Sequence, residues 1–128
     1  MSKIIIVDDS KLMQTVLRRI LERAGHEVDA WEEVSAMEIG DRLAASAPDL
    51  LITDYSMPGC NGLTVAKMAR QSNPGLPVLV LTATHDPAVL TALNNQEVSA
   101  ILHKPLQETE LLATLASVLP DEAASDPV

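Results

Sequence analysis

The sequence predicts an α/β fold in which helices cover both faces of a parallel sheet. Five short, mainly apolar runs alternate along the chain with five amphipathic stretches of helical spacing, and the loops between them are short. The second run differs from the others because it alternates polar and apolar residues, as a half-exposed strand does. The second strand is therefore expected at an edge of the sheet.

Length and composition fit one domain with a hydrophobic core. The chain has 128 residues, of which 47% are apolar; we expect a domain at residues 1–120 and a flexible acidic tail at residues 121–128. The formal net charge of −9, with no Lys/Arg cluster, disfavours direct nucleic-acid binding. No apolar run is long enough for an export signal or for membrane insertion. Together with a single cysteine, Cys60, this predicts a cytoplasmic protein.

The first strand is expected at residues 4–7, followed by a helix that Asp9 or Ser10 caps. Gly25 is expected to end this helix, since glycine readily adopts the left-handed conformation found after many helices. The apolar stripe expected on this helix consists of Leu12, Met13, Val16, Leu17, Ile20, Leu21 and Ala24.

The edge strand is expected at residues 27–31. Ser35 and Glu38 then have the spacing of a capping box, which predicts a second helix that begins there and runs to about Ala47, before Pro48.

The third strand, at residues 50–53, leads into Asp54 and a turn rich in proline, glycine and asparagine. A third helix is expected at residues 63–71 and a fourth strand at residues 77–82.

Asp86-Pro87 is a strong start for a fourth helix, because it places proline directly after a capping residue. This helix is short and fades at Asn94-Asn95, before a fifth strand at residues 99–103. The last helix ends at Pro120, and its apolar stripe consists of Leu111, Leu112, Leu115, Val118 and Leu119. These elements fit the flavodoxin-like, doubly wound five-stranded parallel sheet of order 2-1-3-4-5, with five helices.

Chemically useful side chains stand at the ends of four predicted strands. Asp8 and Asp9 follow the first, Asp54 the third, Thr82 ends the fourth, and Lys104 follows the fifth. Each aspartate alone would also serve as a turn or capping residue. In a parallel sheet, however, all of these groups converge on one edge, where open α/β sheets bind ligands.

Three adjacent carboxylates repel one another unless a cation lies between them. An all-oxygen set with few carboxylates suits Mg²⁺, and the spacing of Cys and His does not support zinc. With Mg²⁺ bound, one carboxylate is free to attack phosphorus, while Lys104 and Thr82 are the right types to donate to phosphoryl oxygens.

These residues resemble the receiver domain of bacterial response regulators, over residues 3–119. The motifs that carry the resemblance are Asp8-Asp9, Asp54 followed by Met57-Pro58 and Gly62, Thr82-Ala83, and Lys104-Pro105. The resemblance implies that Asp54 accepts a phosphoryl group from a phosphohistidine of a histidine kinase or a histidine phosphotransfer protein. It implies that Asp8, Asp9, Asp54 and the backbone carbonyl of Ser56 hold Mg²⁺. It also implies that Lys104 contacts the phosphoryl oxygens, that Thr82 moves to bond them, and that Ala83 leaves room for a loop shift.

The sequence departs from the family pattern at three places. Ile101 stands where the family usually has Tyr or Phe, so we expect a smaller conformational change than in receivers with an aromatic ring there. No glycine precedes the fifth strand near Glu97, so Asn94 or Asn95 is expected to end the fourth helix. Nothing after Pro120 could form an output domain, which fits a stand-alone receiver or a piece of a longer regulator.

Two other functions fit the sequence less well. A small phosphohydrolase with an aspartyl nucleophile usually has a second aspartate where this chain has Ser56. A degenerate receiver used only for binding would have lost an acidic group or the lysine, and none is lost.

Two structural expectations complete the prediction. The Lys104-Pro105 bond is expected to be cis. A downstream protein of unknown identity is expected to bind the face made by the fourth helix, the fifth strand and the last helix. The three histidines, His26, His85 and His103, have no metal-ligand spacing and are assigned no role.

Overall fold

The structure is a computed structural model that describes residues 2–32, 34–57 and 60–119. The strands are β1 (Lys3–Val7), β2 (Glu27–Trp31), β3 (Leu50–Asp54), β4 (Val78–Thr82) and β5 (Ala100–His103). The helices are α1 (Lys11–Arg23), α2 (Ile39–Ser46), α3 (Gly62–Ser72), α4 (Pro87–Asn95) and α5 (Glu108–Val118).

All five strands are parallel and lie in the order β2-β1-β3-β4-β5, which confirms the predicted fold. The expected edge strand, β2, lies at one side of the sheet. Because β1 and β3 are neighbours at the centre, the chain winds outward from them in both directions.

The sheet separates two apolar layers, as expected for strands covered on both faces. Side chains of β1 alternate between them, with Ile4 and Ile6 on one face and Ile5 and Val7 on the other. One layer is completed by α1 and α5, through residues such as Leu17, Leu21, Leu111 and Leu115. The other is completed by α2, α3 and α4, through Ile39, Leu43, Val65, Ala69 and Leu93.

Several predicted helix ends are confirmed. The side chain of Ser10 caps α1 by accepting a hydrogen bond from the Met13 amide, and Gly25 after the helix has a φ of 97°. Asp86 caps α4, with Pro87 as its first residue.

Part of the expected stripe of α1 is wrong. Leu17, Ile20 and Leu21 are buried, but 76% of Leu12 and 39% of Val16 are exposed. The helical spacing of these residues indicates one face of α1, but the structure buries that face only in the second half of the helix.

The predicted start of α2 is also wrong. The helix begins at Ile39, and residues 36–38 form a turn. The backbone carbonyl of Ser35 accepts hydrogen bonds from the amides of Glu38 and Ile39. Ser35 therefore closes a separate turn, and no side chain caps the helix at Glu38.

The fourth helix ends at Asn95, as predicted, but the connection to β5 also contains a left-handed residue that was not predicted. The last helical residue is Asn95, but the left-handed residue is Glu97, with a φ of 58°. Arg70 of α3 stabilises this turn by donating to the carbonyl oxygens of Gln96 and Glu97. The same guanidinium also donates to the carbonyl oxygens of Pro74 and Leu76.

Residues 120–128, including the predicted tail and Pro120, lie outside the described residues, as do Pro58 and Gly59 of the predicted turn. Among the described residues, no helix is both long enough and apolar enough to cross a membrane.

Candidate phosphoacceptor and cation site

The carboxyl ends of the strands bring the predicted site residues together. Asp54 and Thr82 are the last residues of β3 and β4, and Asp8 and Lys104 directly follow β1 and β5. Parallel register fixes this arrangement, since Val7 pairs with Thr53, and Asp54 with Leu81. Each side chain is thus held at the same sheet edge by a buried strand behind it.

Three carboxylates form a compact cluster at this edge. Asp8, Asp9 and Asp54 each offer an oxygen, and these oxygens lie within 4.8 Å of one another. Only 1% of Asp8 and 5% of Asp54 is exposed, whereas Asp9 is exposed to solvent. Such a set of hard oxygen donors with one open side suits Mg²⁺, which keeps several of its waters when bound by protein.

The environment of Asp8 supports a cation at this position. The Ser10 amide donates a hydrogen bond of 2.8 Å to Asp8 Oδ1, but the other oxygen, Oδ2, is buried and has no hydrogen-bond partner within the described part of the chain. Burial raises the pKa of Asp8, and the negative charge of Asp54 adds to the increase. A buried carboxylate with an unpaired oxygen is costly in its charged form unless a positive charge lies beside it.

Lys104 supplies a positive charge next to Asp54. Its Nζ lies 2.8 Å from Asp54 Oδ1, and 29% of the lysine side chain is exposed. The contact is an ion pair between a partly exposed ammonium and a buried carboxylate. The backbone amide of Lys104 donates to the carbonyl oxygen of Thr82, which fixes the base of the side chain. The Lys104-Pro105 bond is cis, as predicted.

Thr82 is buried at the end of β4, with 2% of its surface exposed. Its Oγ1 accepts a hydrogen bond of 3.0 Å from the Thr84 amide. The hydroxyl oxygen therefore accepts from its own loop, and a rotation about χ1 would carry it away from the Thr84 amide.

The turn after Asp54 explains why glycine stands at position 62. The Gly62 amide donates to the carbonyl oxygen of Tyr55, and Asn61 caps α3 by accepting from the Thr64 amide. A Cβ at Gly62 would lie 2.7 Å from the backbone oxygen of Asp54 and 2.8 Å from the Cα of Tyr55. Only glycine lets α3 start this close to the backbone of Asp54.

A surface cavity of about 440 Å³ opens beside this turn, lined by Tyr55, Ser56, Met57 and Asn61. Ser56 is exposed within it. Cys60 lies nearby but is buried, and burial raises the pKa of its thiol, so it has the character of a packing residue.

Two features of this edge were not predicted from the sequence. One is the support of Asp8 by α1, where the Ser10 amide and the Gln14 side chain donate to its carboxylate and its backbone carbonyl, respectively. Ser10 and Gln14 are one helical turn apart at the start of the predicted helix, which could have indicated it. The other is a stacked pair of rings, His85 and His103, next to Thr82 and Lys104. Nothing local in the sequence indicates that pair.

Comparison with known proteins points to one family. The family model described as "Response regulator receiver domain" matches residues 4–116. The chain is 35% identical to the response regulator MprA of Mycobacterium bovis over 127 residues, which is 95% of this chain and 54% of MprA. It is 36% identical to the DNA-binding transcriptional regulator NtrC of Klebsiella pneumoniae over 108 residues, which is 84% of this chain and 23% of NtrC.

Solved structures agree with this similarity. The chemotaxis protein CheY4 of Vibrio cholerae has a TM-score of 0.83 and 28% identity, covering 93% of this chain and 99% of the CheY4 chain. A putative response regulator of Chloroflexus aurantiacus has a TM-score of 0.80 and 31% identity, covering 91% of this chain and 96% of the other. The chain thus spans a quarter to about half of the two curated relatives, but nearly all of these solved chains.

Proposed function

This chain belongs to the response regulator receiver domain family, and we propose that its Asp54 accepts a phosphoryl group from a phosphohistidine. Receiver domains are signalling domains and not conventional enzymes. The proposed donor is a histidine kinase or a histidine phosphotransfer protein, as the family implies. The observation that carries the proposal is a buried carboxylate, Asp54, between a lysine at 2.8 Å and two further carboxylates that need a cation.

In the proposed reaction, an oxygen of Asp54 forms the new bond to phosphorus. The bond between phosphorus and the donor imidazole nitrogen breaks, and that nitrogen keeps the electron pair and is protonated from solvent. Phosphoryl transfer needs in-line approach and charge stabilisation rather than strong acid–base chemistry. The open side of the site, beside Ser56 and Met57, provides room for the donor ring.

Asp8, Asp9, Asp54 and the backbone carbonyl of Ser56 would hold Mg²⁺. When bound, Mg²⁺ supplies the positive charge that offsets the carboxylates and the phosphoryl oxygens. The residues fit this role because Asp8 Oδ2 is buried and lacks a partner among the residues that the structure describes, and because every ligand atom of the cluster is an oxygen.

Lys104 and Thr82 would respond to the new group. Once Asp54 carries a phosphoryl group, the ammonium of Lys104 has phosphoryl oxygens as partners within reach of its present position. Thr82 would turn its hydroxyl from the Thr84 amide toward the same oxygens. The protein would catalyse only its own phosphorylation and dephosphorylation.

The output is proposed to be a change in partner binding at the face formed by α4, β5 and α5. Leu93 is the single buried residue of α4, so this helix is held by few contacts and is easy to displace. An alternative follows from the longer relatives: this chain is the receiver part of a larger regulator, and the same face acts on an attached domain. NtrC is named a DNA-binding regulator, but direct nucleic-acid binding by the present chain is not proposed, given its net charge of −9.

Intact mass spectrometry after incubation with acetyl phosphate tests the proposal. The wild-type chain should gain one phosphoryl group with Mg²⁺ and none with excess chelator. Asp54→Ala should gain none, while Asp8→Ala should need more Mg²⁺. Full labelling of Asp54→Ala would assign the phosphoacceptor to another residue.

A further inference from the structure

Two histidines stack at the edge of the proposed site. His85 lies in the loop between β4 and α4, and His103 is the last residue of β5. Their ring centroids are 4.3 Å apart and their planes differ by 1°. The stack therefore connects a loop to a strand at the carboxyl edge of the sheet.

His103 is next to both residues proposed to contact the phosphoryl group. It is the register partner of Thr82, and side chains in register on neighbouring parallel strands point to the same face. Ile101, two residues earlier, packs in the layer formed with α4, so His103 also points to that side. Lys104, the following residue, pairs with Asp54.

The loop that carries His85 is tied to Thr82 by successive hydrogen bonds. The Thr84 amide donates to Thr82 Oγ1 at 3.0 Å, and the Asp86 amide donates to Thr84 Oγ1 at 3.1 Å. Asp86 in turn caps α4. If Thr82 turns its hydroxyl toward a phosphoryl oxygen, the first of these bonds is lost and the segment around His85 is released.

The described contacts of the His103 ring are dominated by the stack on His85 rather than by a hydrogen bond at Nε2. Its Nε2 is buried and, among the described residues, has no hydrogen-bond partner. His85 is exposed apart from its contact with this ring. The pair can therefore separate without breaking a hydrogen bond at His103 Nε2.

We propose that the stack of His85 on His103 is a latch that holds the loop between β4 and α4, and with it Thr82, in the resting conformation. His85 and His103 are positioning residues in this scheme, because they act through Thr82 and Lys104. The inference rests on the proposed phosphoacceptor function of Asp54. Moving Thr82 toward the phosphoryl group requires the latch to open, so the stack opposes activation.

The test is a titration with beryllofluoride in the presence of Mg²⁺, followed by amide chemical shifts. A stacked aromatic pair is worth roughly a three- to tenfold change in a two-state equilibrium. His85→Ala and His103→Ala should each bind beryllofluoride about three- to tenfold more tightly than the wild type. The double variant should gain no more than either single variant, because both remove the same contact.

Two substitutions separate stacking from a general structural role. His85→Phe keeps a flat ring on His103 and should restore the wild-type affinity for beryllofluoride. If the imidazole had only a structural role, His85→Phe should not restore that affinity. His26→Ala is the matched control, because His26 accepts a hydrogen bond from the Ser2 amide at the opposite edge of the sheet. It should bind beryllofluoride as the wild type does.

The ring protons provide an independent signature. Stacked rings shield each other, so beryllofluoride should shift the ring signals of His85 and His103 together in the wild type. In His85→Ala, the ring signals of His103 should start at unshielded positions. Unchanged affinity in both alanine variants, or additive gains in the double variant, would overturn the latch. A wild type that binds no beryllofluoride would instead refute the proposed function, and the latch with it.

Discussion

At the scale of single residues, Asp8 links cation binding to stability. Its carboxylate is buried beside that of Asp54, and burial raises its pKa above the ordinary value of 3.8. The unfolded chain therefore releases this proton at lower pH than the folded chain does. In the window between those two pKa values the folded state binds more protons, so the free energy of unfolding without a cation falls as pH rises.

Asp8→Asn should remove this pH dependence and raise the melting temperature of the cation-free protein at neutral pH. With saturating Mg²⁺ the wild type should instead have the higher melting temperature. A ligand at a hundred times its Kd stabilises the folded state by about 2.7 kcal/mol. Thermal unfolding with Mg²⁺ or with chelator measures both effects. Asp41→Asn, at an exposed position in α2, should keep the wild-type response to Mg²⁺. Equal Mg²⁺ stabilisation of wild type and Asp8→Asn would remove Asp8 from the cation site.

Gly62 permits the close approach of α3 to Asp54. Gly62→Ala would place a methyl group 2.7 Å from the Asp54 backbone oxygen, so it should lower the free energy of unfolding by about 1–3 kcal/mol and slow phosphorylation. Gly40→Ala is the control, because the nearest atom to its added Cβ lies at 3.7 Å and the residue is helical. It should stabilise by about 0.5–1 kcal/mol. Denaturant unfolding compares the two, and similar stability would contradict the proposed clash.

At the scale of elements, the connection between α4 and β5 carries unfavourable backbone geometry. Glu97 has a φ of 58°, a conformation that costs a residue with a side chain roughly 1–2 kcal/mol. Glu97→Gly should relieve this and raise the free energy of unfolding by about 0.5–1 kcal/mol, after the larger entropy of glycine in the unfolded chain is subtracted. Gln96→Gly, where φ is −89°, should instead destabilise. Denaturant midpoints measure the stability of both variants. A Glu97→Gly variant that is no more stable than Gln96→Gly would show that Glu97 carries no backbone strain.

The loop before α4 and strand β5 are expected to respond most to phosphorylation. Thr82 directly precedes this loop, and α4 buries only Leu93. Ile101 packs in the same apolar layer as Leu93. Amide shifts on addition of beryllofluoride should be largest for residues 83–95 and 100–103. Their size should be modest, since Ile101 has no ring to reorient. Larger changes in α1, with these residues unmoved, would place the output face elsewhere.

At the scale of the whole molecule, the strands and their order were predictable because the hydrophobic pattern of each strand is clear in the sequence. Four apolar runs and one alternating run allow few arrangements, and parallel pairing then brings Asp8, Asp54 and Lys104 to one edge. The start of α2 was not predictable, because Ser35 and Glu38 match a capping box locally and only the folded chain makes Ser35 close a turn instead. Similarly, Leu12 fits a helical stripe, but 76% of it is exposed, because periodicity does not show how much of a helix packs against other elements.

Contacts between segments that are distant in sequence account for the other features that were not predicted. The anchoring of Glu97 by Arg70 and the stacking of His85 on His103 join residues far apart in sequence, through loops whose conformation no local pattern specifies. The residues of the site were therefore readable from the strand ends, while these contacts between distant segments required the structure.

Asp54 is proposed to carry the phosphoryl group, and chemical trapping identifies the residue directly. The wild-type chain is phosphorylated with acetyl phosphate and Mg²⁺, the acyl phosphate is reduced with borohydride, and the modified residue is identified by peptide mass spectrometry. Borohydride converts a phosphorylated aspartate into homoserine, so we expect homoserine at position 54 alone, in an amount that falls when Mg²⁺ is removed. Homoserine at Asp8 or Asp9, or phosphate retained on a histidine, serine or threonine with Asp54 intact, would contradict it.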